Sequence, residues 1–242
     1  MNLIVDVGNT LVKFAIFKDA ELIHKVGFEL SEFKKQYKAL KKDFPKVKLA
    51  IISSVGRLSK KQIELVEDDL KIIELSSKTK LPFKNCYKTP KSLGVDRIAL
   101  VSASAHQFPD KNVLIIDAGT CITYDFITDK NHYLGGAISP GIRLRYKSLN
   151  NLTANLPLLE TDQPKTIIGD STESSIHSGV VFGVIKEIDG VIDQYLEKYP
   201  SLTVILTGGD AKFLSNQLKN SIFANSNFLL EGLNFILDYN SK

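Results

Sequence analysis

The feature that most limits what this chain can fold into is a pattern it states twice. Leu3-Ile4-Val5 runs into Asp6-Val7-Gly8-Asn9-Thr10 and then into a β-patterned segment, Val12 to Phe17. About 110 residues later Val113 to Ile116 runs into Asp117-Ala118-Gly119-Thr120, and Cys121 to Ile127 leads away. Each copy is an apolar strand tipped by an acid, a turn with glycine and threonine, and a return strand. A carboxylate at the tip of a buried strand can hold a cation or its water shell, and a glycine turn brings backbone N–H groups close to phosphate oxygens. The hydroxyls of Thr10 and Thr120 add donors. One copy alone reads equally well as an ordinary hairpin with common turn residues. A domain-sized duplication, each half opened by the same device, points to two related folding units.

The 242 residues are enough for one large or two small domains. The stretch Phe108-Pro109-Asp110-Lys111-Asn112 is the best joint, which gives an N-terminal domain over 1–108 and a C-terminal domain over 109–242. A hydrophobic content of 43% with 24% charge belongs to an ordinary globular protein, and a net charge of +4 gives no ground for a nucleic-acid partner. The chain opens MNLIVD, without the apolar core of a signal peptide, and no run is long enough to span a bilayer. The expectation is therefore a cytoplasmic protein with no membrane partner. Cys86 and Cys121 are too few for a disulfide framework, and Cys121, in an apolar strand, is expected to pack rather than react. His24, His106, His132 and His177 lack the spacing of a zinc site.

Periodicity supplies the remaining elements. Glu21 to Phe28 follows the Lys18-Asp19-Ala20 turn, making a three-stranded antiparallel start, and Ser31 is expected to cap a helix with Phe33, Tyr37, Leu40 and Phe44 on one stripe. Its lysines, interleaved with those aromatics, form a solvated face rather than an RNA surface. A strand at Leu49 to Ser53, a helix at Ser59 to Asp69 and a strand at Ile72 to Leu75 precede a loop-rich passage, Ser76 to Leu93. That passage ends at Gly94-Val95-Asp96-Arg97, where a helix begins and runs to about His106. In the second half, His132 to Ile138 follows the Asp129-Lys130-Asn131 turn and runs into Gly135-Gly136-Ala137-Ile138-Ser139-Pro140-Gly141, before a basic helical stretch with Arg143, Arg145 and Lys147. Asp170 with Glu173 reads as a capped start for a long core or interface helix, in which Ile176, Val180, Val184, Ile188, Ile192 and Leu196 recur every fourth residue. Leu202 to Leu206 is a strand ending at Thr207-Gly208-Gly209-Asp210, and Phe228 to Tyr239 closes the chain as a helix.

There is no Walker A loop, no G-x-G-x-x-G and no G-x-S-x-G elbow. Duplicated three-stranded starts with acid–glycine–threonine turns resemble instead the actin, Hsp70 and sugar-kinase superfamily. That likeness implies an α/β protein of two RNase H-like, actin-like ATPase domains, with mixed sheets flanked by helices and ATP in the cleft between them. Within the superfamily, Asp6 to Thr10, Gly94 to Arg97, Asp117 to Thr120 with Thr123 and Asp125 following, and Gly135 to Gly141 occur in the order and spacing of type III pantothenate kinase. The resemblance covers essentially the whole chain. It departs at Leu93, where the family often has Pro, and at Cys121, where Ala usually follows the Gly-Thr.

The resemblance implies ATP-dependent phosphorylation of the primary hydroxyl of pantothenate, the first step of coenzyme A synthesis. It implies that Asp6, Val7, Gly8, Asn9, Thr10, Leu11, Val12 and Lys13 form the ATP phosphate loop, with Asp6 near Mg²⁺ through water, and that Thr120 also meets ATP. Asp117 is similar to the family's ligand for a monovalent cation, K⁺ or NH₄⁺. Gly94, Val95, Asp96 and Arg97 resemble the pantothenate segment, with Tyr87 and Thr172 as further contacts and Asp96 as proton acceptor. Members are homodimers with sites at the subunit interface. In-line phosphoryl transfer asks mainly for positioning and charge compensation, and a carboxylate beside the acceptor alcohol is the usual way to remove its proton. Arg97 either holds a polar part of the substrate or makes a structural ion pair, and Thr172 either meets the substrate or helps Asp170 cap its helix. Two other classes fit the superfamily: an accessory factor acting on transcription, and an ATPase that works without pantothenate.

Overall fold

The computed structural model describes residues 1–54 and 58–241. Strand β1 (Asn2–Val7) is buried at every position, as a central strand covered on both faces must be. Strands β2 (Val12–Lys18) and β3 (Glu21–Phe28) return antiparallel, joined by a turn in which Asp19 takes φ 56°. Asp and Asn tolerate that left-handed backbone better than most residues. A 3-10 turn over Leu30–Glu32 leads into α1 (Phe33–Asp43), so Ser31 lies inside the turn and Glu32, not Ser31, holds the cap position. Helix α1 buries Phe33, Tyr37 and Leu40 and leaves Lys34, Lys35, Lys38 and Lys42 exposed. Strand β4 (Leu49–Ser54), helix α2 (Lys60–Glu67) and strand β5 (Lys71–Glu74) follow, and the sheet order is β3-β2-β1-β4-β5, with β4 parallel to β1 and β5 parallel to β4. The passage expected to be loop contains the two-residue strand β6 (Lys84–Asn85) and a 3-10 turn at Pro90–Ser92, and α3 (Val95–Gln107) comes next.

The second half repeats the plan. Strands β7 (Val113–Ala118), β8 (Cys121–Ile127) and β9 (His132–Pro140) precede α4 (Ile142–Asn151), α5 (Thr172–His177) and α6 (Gly183–Lys198). Strand β10 (Thr203–Thr207), helix α7 (Ala211–Ser215), strand β11 (Phe223–Ala224) and helix α8 (Phe228–Asn240) complete the chain. Five of the six strands of the second sheet run in the order β11-β10-β7-β8-β9, with β10 parallel to β7 and β8 antiparallel to it, the same arrangement as the first sheet, and the short β6 pairs parallel with the start of β9 at its edge. The equivalence extends to register. Asp6 stands opposite the buried Ser53 of β4, and Asp117 opposite the buried Thr207 of β10.

By compactness one unit comprises Met1–Pro109, Asn131–Tyr133 and Asn227–Lys242, and the other Asp110–Lys130 and Leu134–Ser226. Helix α8 is thus last in the sequence yet groups with the first unit, because its apolar face covers α3. Asn2 Nδ2 donates to Asn234 Oδ1 and to Asp238 Oδ1, each at 2.8 Å, and Gln107 Nε2 donates to Glu231 Oε2 at 2.7 Å. A Cβ at Gly232 would stand 2.0 Å from the Ala99 carbonyl oxygen, so the two helices approach backbone to backbone at that point.

The long stripe of the second unit is not one α-helix. Residues four apart overshoot a 3.6-residue turn by about 40°, so a stripe with that spacing winds around an ideal helix. Here α5 passes through a π-helical segment, Ser178–Phe182, whose wider turns take up the drift before α6 begins. Ile176, Val180, Val184, Ile188 and Ile192 all lie in this unit's hydrophobic core, which removes them as a face for contact with another subunit. The α5 cap is Ser171 rather than Asp170: its Oγ accepts from Ser174 N at 3.2 Å, and Asp170 Oδ1 accepts from Ser174 Oγ at 3.1 Å.

Candidate active site

In the first unit the site grows from the end of β1. Asp6 is 6% exposed, and the chain turns immediately beyond it, with Gly8 N donating to Leu11 O at 3.1 Å and Asn9, Thr10 and Leu11 exposed at the tip. Antiparallel register sets Lys13 opposite Asp6, and Lys13 Nζ lies 3.3 Å from Asp6 Oδ2. Burial pushes the Asp6 carboxyl above its ordinary range, Lys13 pulls it partly back, and the charge of Asp96 pushes it up again. Two acids 90 positions apart in the sequence therefore share one electrostatic neighbourhood.

Asp96 is held at the start of α3. Gly94 takes the cap position, and Asp96 Oδ1 accepts a 2.9 Å hydrogen bond from Arg97 N, which aims the carboxylate back along the helix start. A side chain at 94 would meet Asp96 Oδ1 at 2.3 Å, so a glycine keeps that space open for the acid. Arg97 is buried, and its guanidinium lies 5.6 Å from the Tyr87 ring centre. Tyr87 stacks in turn on Tyr133, with ring centres 6.1 Å apart. Asp6, Lys13, Tyr87, Asp96 and Arg97 are thus brought together by three elements and one loop.

In the second unit the equivalent turn is one residue shorter, with Ala118 opposite Ile122 where the first has Val7 opposite Val12. Gly119 N donates to Cys121 O at 2.9 Å, and Thr120 and Cys121 are exposed. Cys121 therefore does not pack as expected; it is the first residue of β8, beyond the cover of the core. Two glycines press on this turn. A Cβ at Gly141 would stand 2.0 Å from Gly119 O, and one at Gly208 would stand 2.4 Å from Asp117 Oδ1. Gly208 also has φ +94°, a conformation glycine adopts without strain. Asp210 N donates to Ala118 O at 2.9 Å, and Arg143 pairs with Asp210 at 2.7 Å. None of Gly208, Asp210 and Arg143 was singled out from the sequence as a site residue, although the glycine pair after β10 was the visible signal.

Thr172 is placed elsewhere in the second unit. Ser171 and Ser174 cap α5 between them, and Thr172, Ser175 and Ile176 line a cavity of about 940 Å³ with Arg145, Ser148 and Leu156. Arg145 is anchored by Glu187, by Ser139 Oγ at 3.1 Å and by Pro140 O at 2.9 Å. Glu187 also accepts from Tyr124 Oη at 2.9 Å, and the bonds from Arg145, Ser139 and Tyr124 outweigh burial to hold its carboxyl below the ordinary range. Among the described residues no three His, Cys, Asp or Glu side chains form a cluster fit for a metal ion, and no helix is long and apolar enough to cross a membrane.

A family model described as type III pantothenate kinase matches residues 2–194. The chain belongs to the type III pantothenate kinase family. Relatives of that name are 52% identical in Christiangramia forsetii, over 99% of both chains, and 50% identical in Flavobacterium johnsoniae, over 99% of this chain and 98% of the other. Among solved structures, a Campylobacter jejuni protein described as a Baf family transcriptional activator superposes with a TM-score of 0.63 at 22% identity over 98% of each chain. A ROK family glucokinase from Streptomyces griseus gives 0.53 at 9%, over 99% of this chain and 98% of that one. At those identities the structures speak to fold alone, and the fold is the actin-like, sugar-kinase one that the duplicated turns implied. Membership of a pantothenate kinase family gives the acid-tipped turns a phosphoryl-transfer context and makes the chain a kinase, a transferase that uses ATP.

Proposed function

We propose that this protein transfers the γ-phosphoryl group of ATP to the primary hydroxyl of pantothenate, giving 4′-phosphopantothenate, and that it does so in the cytoplasm as the opening step of coenzyme A synthesis. The observation that carries the reading is the full-length likeness to type III pantothenate kinases; the placing of Asp6 and Asp96 in one electrostatic neighbourhood, with the buried Arg97 beside the half-buried Tyr87, suits it. A phosphoryl-transfer site needs one acid for the cation that accompanies ATP and a second for the acceptor alcohol.

In this reading Asp96 accepts the hydroxyl proton, and its bond from Arg97 N keeps the carboxylate oriented for that task. Arg97 and Tyr87 hold the polar part of the substrate, with Gly94 and Val95 leaving room for it. The turn from Asp6 to Lys13 cradles the ATP phosphates through its N–H groups and the Thr10 hydroxyl, and Lys13 adds positive charge. Asp6 fits Mg²⁺ held through water: it is a buried carboxylate that lacks enough compensation of its own, and without a neighbouring acidic cluster the remaining positions fall to water and phosphate. Bound there, the ion would supply charge neutralisation to the phosphates. Asp117 and Thr120, with the backbone oxygens around them, offer the all-oxygen set that suits K⁺ or NH₄⁺ and the nucleotide.

Thr172 completes the pantothenate contacts in a homodimer. Ile167 and Ile168, which are 68% and 80% exposed, directly precede the cavity-lining Gly169 in sequence, and Leu152 and Leu158 are exposed as well. Such residues are candidates for cover by a second copy.

A coupled assay for ADP release, with Mg²⁺ and K⁺ or NH₄⁺ and with pantothenate included or omitted, tests the reading. ADP release that depends on pantothenate is expected. No turnover, or hydrolysis indifferent to pantothenate, would overturn it. Asp96→Asn should lower kcat by roughly 10²- to 10⁴-fold while ATP binding persists.

A further inference from the structure

We infer that the ion pair between Arg143 and Asp210 is a clasp that fixes the shape of the Asp117–Thr120 turn, which makes both side chains positioning residues for nucleotide and monovalent-cation binding. The inference deepens the function proposed above and rests on it for the identity of those ligands.

The turn is gripped by two segments far apart in the chain. On one side Gly141, at the start of α4, donates from its N to Thr120 O at 3.0 Å and leaves no room for a Cβ against Gly119 O. On the other, Gly208 sits where a Cβ would meet Ala118 O at 2.3 Å and Asp117 Oδ1 at 2.4 Å, and Asp210 N donates to Ala118 O. Backbone contacts this close transmit movement. If either segment shifts, the carbonyls of the turn and the Asp117 carboxylate shift with it.

Arg143 and Asp210 tie the two segments to each other across 67 positions of sequence, with Arg143 Nη2 2.7 Å from Asp210 Oδ1. The Arg143 side chain is 54% exposed while that of Asp210 is 9% exposed. A pair with one partner so open to water adds little to folding stability. Its geometric effect is local, because each partner lies within two residues of a glycine pressed on the turn. Phosphoryl transfer depends on placement, and a misplacement of about 1 Å can cost on the order of 10²-fold.

The test uses the full-length protein with Arg143→Met, Asp210→Asn, the double variant and the conservative Arg143→Lys. Binding of a fluorescent ATP analogue and kcat/KM for ATP are both followed as K⁺ is titrated. Each single variant should weaken analogue binding and lower kcat/KM for ATP by roughly 10- to 100-fold, and should move half-activation to higher K⁺. KM for pantothenate and the thermal midpoint should stay near those of the parent. The double variant should be no worse than the poorer single, since both remove one contact, and Arg143→Lys should recover part of the loss. If the single variants bind the analogue and respond to K⁺ within twofold of the parent, or if their losses simply add, the clasp is refuted. A parent that binds the analogue in a K⁺-dependent way but does not phosphorylate pantothenate would refute the proposed function and leave the clasp to be judged on binding alone.

Discussion

Replacing Gly232 by alanine sets two effects of known size against each other. Glycine inside a helix costs about 1 kcal/mol relative to alanine, so propensity alone predicts a gain. The new Cβ, however, would stand 2.0 Å from Ala99 O, 2.8 Å from Ala99 C and 3.1 Å from Ala103 Cβ. The first two are backbone atoms of α3, which no rotamer change can move, so relief requires α8 to shift bodily. Overpacking costs about 1–3 kcal/mol, and a contact this short against backbone belongs at the upper end. The net expectation is a loss of roughly 2 kcal/mol, or about 4–8 °C in Tm for a chain of this size. Gly190, an exposed residue inside α6 with nothing within 4 Å of its would-be Cβ, is the matched control. Gly190→Ala should gain up to about 1 kcal/mol. Urea unfolding of the three proteins, followed by circular dichroism, gives both signs in one experiment. If Gly232→Ala stabilises as much as Gly190→Ala, the α3–α8 approach is not tight and the packing described for the first unit is wrong.

Other outcomes follow from the same contacts. Lys13→Met removes the charge that draws the Asp6 carboxyl down, so its pKa should rise further and the acid limb of the pH profile of kcat/KM for MgATP should move to higher pH. Because Asp6 in the folded protein titrates above its unfolded value, the native state binds the extra proton, and stability should fall as pH rises through that interval. Urea midpoints between pH 4 and pH 7 should show the decline extending to higher pH in Lys13→Met, and an unchanged pH dependence would rule it out. Gly208→Val should cost far more ATP affinity than Gly209→Val, since only Gly208 has φ +94° and presses on Asp117; analogue binding compares them directly. Exchanging K⁺ and NH₄⁺ for tetramethylammonium, too large for an all-oxygen site, should abolish turnover that added K⁺ restores. Light scattering should give a dimer that Ile168→Glu converts to monomer, and an unchanged mass would discard the dimer.

What the sequence revealed and what it hid divide along physical lines. Local periodicity and turn chemistry carried the strand–acid–turn–strand doubling, because alternation and glycine placement are encoded in adjacent residues. The same local reading singled out Asp6, Asp96 and Asp117 as candidate site residues. It could not show that Asp96 perturbs Asp6, or that Asp210 reaches Arg143, because those contacts arise only when distant elements pack. Ser31 and Asp170 were misplaced as caps, since several neighbouring residues had suitable side chains and backbone geometry chose among them. The four-residue stripe from Ile176 was visible, but its departure from 3.6 was the clue to a π-helical segment rather than one uniform helix. Cys121 was judged by its apolar neighbours, whereas its position at the first residue of a strand left it open to solvent.

Helix α8 has a consequence for biosynthesis. The first unit takes in helix α8, so the part of that unit made earlier lacks a structural element until α8 has been synthesised. The growing chain must therefore keep α3, with its uncovered apolar side, out of trouble while the other unit is made. A stop codon at the start of α8 would strike the architecture beneath Asp96, because α8 packs on the helix that carries it.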